Sequence, residues 1–173
     1  MIKITQEEVN EVVRLHGMWL KDSKTGKRAN LNGEDLSSLD LKGFDFKFAS
    51  LSDVNFRYAD LGGADFSHAY LGYSIFSGAN LHNADFSRAD LRGAYLSRAD
   101  LRYVNLNNAD LRGADLSGVD LGKADLSYAN LNNADLRGVN LSRTNLGFTD
   151  LSNAIYDSKT VFPDFKDDMI LKD

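Results

Sequence analysis

The sequence predicts an all-β solenoid, and three observations carry that prediction. From Leu31 to Leu151 every fifth residue is Leu or Phe, without an insertion. Two places before most of them stands a small residue, as at Ala59, Ala64, Ala69, Ala79, Ala84 and Ala89. Between the two lies Asp or Asn, as at Asp60, Asp65, Asn80, Asp85 and Asp90. The unit is therefore A-[D/N]-[L/F]-x-x, with Ser, Gly, Arg or Asn common in its last two places.

A helix cannot carry this pattern. Five residues at about 100° each leave successive leucines ~140° apart, so they face every direction. In a short extended piece, Ala and Leu point one way and Asp the other. The two remaining residues turn the chain. Piece and corner, repeated, make a coil with Leu and Ala inside. The number of sides follows from Phe46, Phe56, Phe66, Phe76 and Phe86, which alternate with leucines. Three units per coil would stack Phe46 on Leu61. Four units put Phe46, Phe66 and Phe86 in one column and Phe56 and Phe76 in another. Like-on-like columns keep the cross-section even, which favours four sides and a twenty-residue coil. The units then give slightly more than six coils, a rod ~30 Å long at ~4.8 Å per layer.

Units such as ADLRG (109–113), ADLSG (114–118) and ANLNN (129–133) resemble the pentapeptide-repeat family, and the resemblance covers residues 29–153. It implies a right-handed quadrilateral β-helix; the handedness comes from the family alone. Some members of the family are DNA gyrase inhibitors, including quinolone-resistance proteins. Those are dimeric rods whose shape and acidic surface imitate duplex DNA.

An uncapped solenoid exposes its core and open strand edges. Residues 1–28 read as an N-terminal helical cap and loop. Thr5 with Glu8 makes a capping box, and Val9, Val12, Val13, His16 and Leu20 share one helical face over residues 5–20. The loop Lys21–Arg28 contains TGKR, which is not a phosphate-binding loop: no glycine stands five places before Gly26, and Arg28 replaces Ser or Thr. Glu34, Leu39 and Phe44 hold small-residue positions, so the first coil is expected to be irregular. After Ala154 the chain leaves the pattern. In residues 154–173, Val161, Phe162, Phe165, Met169, Ile170 and Leu171 are too apolar for a free tail, so the segment is a C-terminal cap or a homodimer contact.

The length suits one domain. A net charge of −5 and a pI near 5.2 argue against direct nucleic-acid or anionic-membrane binding. There is no cysteine, hence no disulfide framework and no thiol nucleophile. No apolar run approaches the ~18 residues of a membrane span. The acids in MIKITQEEVNEVV replace the apolar stretch of a signal peptide, so a soluble, cytoplasmic protein is expected.

Catalysis needs converging groups, and these are dispersed. Four-sided stacking places His68 beside Phe48 and Arg88, and His82 beside Gly62 and Arg102, with no ligand or nucleophile; His16 belongs to the helix. No catalytic residue, metal site or cofactor is predicted. The serines after Leu or Phe read as corner residues. The stacked Asp and Asn columns read as local backbone support rather than calcium sites, since like charges one layer apart repel and Asx side chains bond nearby N–H groups. Asn recurs at 30, 55, 80, 105 and 130 with no evident reason.

Two functions remain open. One is a non-catalytic interaction scaffold for a protein partner of unknown identity. Tyr70, Ile75 and Tyr95 are the only Asx positions between 55 and 115 without Asp or Asn. In four-sided stacking Tyr95 lies one layer from Ile75, with Tyr70 and Tyr73 on the adjoining side, so Tyr70, Tyr73, Ile75 and Tyr95 form a candidate binding patch. Tyr also suits exposed β positions for its own sake. The other function is a DNA-mimicking inhibitor or protector of DNA gyrase. Against it stands a positive belt: residues 86–112 hold Arg88, Arg92, Arg98, Arg102 and Arg112 against Asp90, Asp100 and Asp110. The loop insertions of some gyrase-protecting members are also absent.

Overall fold

Residues 3–163 are described by the structure, a computed structural model. Residues twenty apart pair in parallel, from Asn30↔Ser50 through Asp60↔Asn80 and Asp90↔Asp110 to Asp135↔Ile155. Four five-residue units therefore complete one turn of the coil, the register anticipated from the alternation of Phe and Leu. Each pairing is one residue long, because the chain turns immediately afterwards. Around Tyr70 the pattern is typical. Its N–H donates to Ala49 O at 3.0 Å, the Leu71 N–H to Asp90 O at 2.7 Å and the Tyr73 N–H to Arg92 O at 2.9 Å. The Ser74 N–H closes the corner on Leu71 O at 3.1 Å. These corners are turns that need positive φ at their second corner residue, and φ there is 56–73° from Gly33 to Asn153, with Arg143 the exception.

Every Leu or Phe at the inward position from Leu31 to Leu146 is buried, and so are nearly all of the small residues beside them. The phenylalanines stack within columns, at 5.2 Å for Phe46–Phe66, 4.8 Å for Phe66–Phe86 and 4.9 Å for Phe56–Phe76. They meet edge-on across the bore, at 5.9 Å for Phe56–Phe66 and 6.1 Å for Phe66–Phe76. Where Ser or Thr replaces the small Ala, its hydroxyl donates to the inward residue's carbonyl one coil back: Ser74 to Leu51 O at 2.6 Å and Thr144 to Leu121 O at 2.9 Å. The core thus accepts these polar atoms because each is satisfied.

Helix α1 (Gln6–Lys21) begins with the anticipated capping box: Thr5 accepts from the Glu8 N–H while Glu8 accepts from the Thr5 N–H. The N-terminal segment closes the open edge of the first coil side by side. The Ile4 N–H donates to Asp35 O at 3.1 Å. The Gln6 amide bonds both the N–H and the carbonyl of Asp40. Buried His16 spans Lys47 O at 2.9 Å and the Ala29 N–H at 3.1 Å, and Arg28 Nε donates to Phe48 O at 2.6 Å. The edge that would template another chain is thereby consumed.

The first coil is not irregular. Its backbone pairs in register from Asn30 onward. Glu34, Leu39 and Phe44 remain half-buried, and Leu39 and Phe44 pack with Ile4, Val12 and Val13 against the core, so the larger side chains fill the space beneath α1. At the other end pairing outlasts the repeat: Asp135↔Ile155 is followed by Asn140↔Val161, with one extra residue taken up by a turn at Asp157. Phe162 packs edge-on against Tyr156 at 5.5 Å. The expectations for Phe165, Met169, Ile170 and Leu171 fall outside the described residues.

Candidate interaction site at one corner of the coil

The Asx position has a definite task. From Asn30 to Asp150, each Asp or Asn standing there accepts the N–H of the residue two further on, for example Asp85 from Ser87 at 2.8 Å and Asp110 from Arg112 at 3.3 Å. This is the Asx turn. Asn also donates to the Asp one coil back, Asn55 to Asp35, Asn80 to Asp60 and Asn105 to Asp85, at 2.9–3.1 Å. Repulsion between stacked carboxylates is relieved there, which accounts for part of the recurrence of Asn every twenty-five residues.

Tyr70, Ile75 and Tyr95 cannot make this bond. The N–H groups of Gly72, Ser77 and Ser97 accordingly lack the Asx acceptor found at the other corners. Each departure forgoes a hydrogen bond of about 0.5–1.5 kcal/mol. Propensity for exposed β positions does not account for that loss, since the neighbouring units keep the same backbone with Asp or Asn.

Ile75 and Tyr95 are bridged neighbours on successive coils. Tyr73 occupies the corner between the side bearing Tyr70 and the side bearing Ile75. Its ring lies over Gly93, where a Cβ would come within 2.5 Å. Gly113, the next residue along that corner, has nothing within 4 Å of a Cβ. Both glycines have positive φ, so they suit the turn as well as the close approach. The result is a shallow groove of about 440 Å³ lined by Tyr73, Arg92, Gly93, Arg112, Gly113 and Asn133. Tyr70 is exposed but not free: the Arg28 guanidinium sits 5.3 Å from its ring and 5.9 Å from that of Trp19, joining it to the N-terminal segment. No ring pair links Tyr70, Tyr73 and Tyr95 among the described residues.

From the sequence Arg92 and Arg112 count only as part of the positive belt, not as neighbours of the tyrosines. Arg92 grips Asp90 through Nε and Nη2 at 2.8 and 2.7 Å, and Arg112 grips Asp110 in the same way at 2.8 and 2.6 Å. Arg92 also reaches Asp110 at 3.8 Å, so the charges alternate along the groove. Hydrogen bonding from Arg92 holds the Asp90 carboxyl below the usual carboxylate range, against the opposing effect of burial. The groove wall is thus a neutral row of fixed guanidinium planes beside a tyrosine. The signal for it in the sequence is Gly93 and Gly113 at twenty-residue spacing after Tyr73, visible once residues are compared one coil apart.

The positive belt keeps its net charge, but three of its five arginines are held by aspartates. Arg102 pairs with Asp100 as Arg92 and Arg112 do with their own aspartates. That leaves Arg88 and Arg98 without an ion pair among the described residues. Elsewhere, His68 stacks on Phe48 at 4.8 Å, and His82 meets Tyr103 edge-on at 5.1 Å. No three His, Asp or Glu side chains gather as a metal-ligand set among the described residues, and no described helix is long and apolar enough to cross a membrane.

Comparisons place this geometry among known proteins. The family profile described as pentapeptide repeats matches eight copies, over residues 29–67, 59–98, 79–118, 94–127 and 120–155, running without a gap from 29 to 155. The solved structure of the pentapeptide repeat protein Rfr23 from the cyanobacterium Cyanothece 51142 is similar at 25% identity and a TM-score of 0.50, over 89% of this chain and 98% of its own. QnrB1, a plasmid-mediated fluoroquinolone resistance protein, is similar at 18% identity and a TM-score of 0.50, over 76% of this chain and 90% of its own. That second likeness is one of fold. No curated protein matches the chain significantly.

Proposed function

The chain belongs to the pentapeptide-repeat family, and from that premise we propose that it is a non-catalytic scaffold, coiled as the family's right-handed quadrilateral β-helix, which holds a protein partner on the corner marked by Tyr70, Tyr73, Ile75 and Tyr95. One observation carries the reading. Tyr70, Ile75 and Tyr95, the three exceptions to the Asx rule between residues 55 and 115, fall on the two sides that flank a single grooved corner, and each gives up a turn bond to place an apolar or aromatic group outward. Exposed tyrosines beside fixed, charge-neutralised arginines are the groups that dominate protein contacts. The partner expected is a neutral or mixed-charge protein surface, since the groove wall alternates in sign.

The test compares the wild type with the triple variant Tyr70→Asp, Ile75→Asp, Tyr95→Asp, both immobilised and both shown folded by circular dichroism. A partner retained by the wild type and lost from the variant is expected. Equal retention by both would overturn the assignment.

A second reading has its own support. The fold is shared with QnrB1, a plasmid-mediated fluoroquinolone resistance protein, which favours a DNA-mimicking inhibitor or protector of DNA gyrase. Against it, the five arginines and three aspartates of residues 86–112 keep two net positive charges at the middle of the chain, carried by Arg88 and Arg98. A supercoiling assay with purified gyrase distinguishes the two: inhibition or protection at micromolar protein favours the mimic, and no effect rejects it.

A further inference from the structure

A second notch lies at the diagonally opposite corner, two corners away from Tyr73 around the coil. It encloses about 380 Å³ between Arg102, Tyr103, Gly122, Lys123, Ser142 and Arg143. Most coil cations are compensated: Lys42, Lys47, Arg92, Arg102, Arg112 and Arg137 each lie within 2.9 Å of an Asp oxygen. Lys123 and Arg143 have no carboxylate partner among the described residues, yet they occupy successive coils of one corner. Two uncompensated cations one layer apart repel each other. Nothing in the turn demands them: the same position elsewhere takes Gly, Asn, Tyr, Ser, Asp, Phe, His or an isolated Arg, no other corner stacks cations there on successive coils, and Arg143 is where the positive φ of the corner series is lost.

We propose that this notch binds the phosphate group of a phosphate monoester. Lys123 supplies a point charge and Arg143 a planar donor fork, the pair of chemistries that phosphate oxygens recruit. Arg102 gives Nε and Nη2 to Asp100, which leaves Nη1 outside that pair. Ser142 and Asn140 add neutral donors at the rim. Lys123 Nζ is oriented by the Tyr103 hydroxyl at 3.2 Å, over a ring whose centroid is 5.0 Å away. Asp120 is the opposing group, and its Oδ1 is occupied by the Gly122 N–H at 2.9 Å. Three cations against Asp100 and Asp120 leave one unit of positive charge, on a chain whose net charge is −5. Gly122 lines the notch between Tyr103 and Lys123 without a side chain. A Cβ there would come within 3.0 Å of Asp120 Oδ1, so a side chain would crowd the shelf on which the organic body rests beside Tyr103.

The test titrates the full chain with phenyl phosphate, inorganic phosphate and, as a control, phenol, followed by amide chemical shifts at about 50 mM salt. Saturable phenyl phosphate binding is expected, with shifts centred on Gly122, Lys123 and Ser142. Binding should weaken by about tenfold or more in Lys123→Gln/Arg143→Gln and fall with added salt. Gly122→Leu, which fills the shelf and keeps both charges, should impair phenyl phosphate more than inorganic phosphate. Phenyl phosphate tighter than inorganic phosphate identifies a monoester as the ligand. Equal affinity identifies free phosphate and rejects the role of the shelf. No saturation below ~10 mM, or the same affinity in the charge variant, overturns the site.

Discussion

Phe66 is the centre of the aromatic core, and its replacement by Leu should be unusually costly. Phe66 is fully buried and faces four rings: Phe46 and Phe86 stacked at 5.2 and 4.8 Å, Phe56 and Phe76 edge-on at 5.9 and 6.1 Å. Phe86 is equally buried but, among the described residues, meets only the rings of Phe66 and Phe76, the latter at 5.7 Å. Each such pair contributes about 0.5–1.5 kcal/mol beyond burial. Phe66→Leu therefore forfeits two more pairs than Phe86→Leu, and should be the more destabilising by about 1–3 kcal/mol. The transfer terms of the two substitutions are the same and cancel. Urea unfolding followed by tryptophan fluorescence and circular dichroism gives the two midpoints, with unchanged slopes licensing the comparison. Equal losses would refute the reasoning, because a coil of three sides would surround each phenylalanine with leucines in its own column and make the two positions alike.

Other outcomes follow from single residues. His16 is held neutral, with Nδ1 accepting from Ala29 and Nε2 donating to Lys47 O, and burial lowers its pKa from the ordinary 6.5. The unfolded chain therefore takes the proton first, so the stability His16 contributes is full above pH 6.5 and is lost as the pH falls below it. Melts of α1 at pH 7.5 and 5.5 should show this loss, and His16→Gln should flatten the dependence. Gly93→Ala should destabilise by about 1–3 kcal/mol, since its Cβ meets the Tyr73 ring at 2.5 Å in a left-handed turn; Gly113→Ala, with the same φ and open space, should cost only about 1 kcal/mol. Thermal unfolding of the pair separates clash from backbone strain. Asn80→Leu should cost about 1–3 kcal/mol, by uncapping the His82 N–H and removing the donor to Asp60.

The coil was legible in the sequence because its determinants are local and repeated. The inward Leu and Phe fix the faces, and the alternation through Phe86 fixes the number of sides. Thr5 and Glu8 announce the helix start, since a capping box lies within four residues. Cross-coil chemistry was less legible. The pairings of Arg92, Arg102 and Arg112 with the Asp two places earlier concentrate the belt's net positive charge on Arg88 and Arg98, and a charge count cannot foresee that choice of rotamer. His16 reads as one more residue on the apolar face of a helix, yet its two nitrogens close the edge of the first coil, a task that needs Ala29 and Lys47 in place. The register beyond Ala154 was hidden because Val161 pairs with Asn140 only after an extra residue is absorbed at Asp157. At the candidate site Tyr70, Ile75 and Tyr95 stood out as breaks in the pattern, whereas the groove beside Tyr73 is made by glycines that fit the pattern and so escape notice.

The most direct measurement is the stability of the chain with Tyr70, Ile75 and Tyr95 all replaced by Asn. If these side chains face outward for a partner, the backbone gains nothing from them, and Asn restores the missing acceptors for Gly72, Ser77 and Ser97. Each restored bond is worth about 0.5–1.5 kcal/mol, against the loss of half-buried apolar surface at Ile75 and of the exposed Arg28–Tyr70 contact, worth about 0.5–1 kcal/mol. The urea midpoint should therefore equal or exceed that of the wild type. A variant that unfolds at clearly lower urea would mean that the three residues hold the coil together, and the corner would lose its standing as a contact surface.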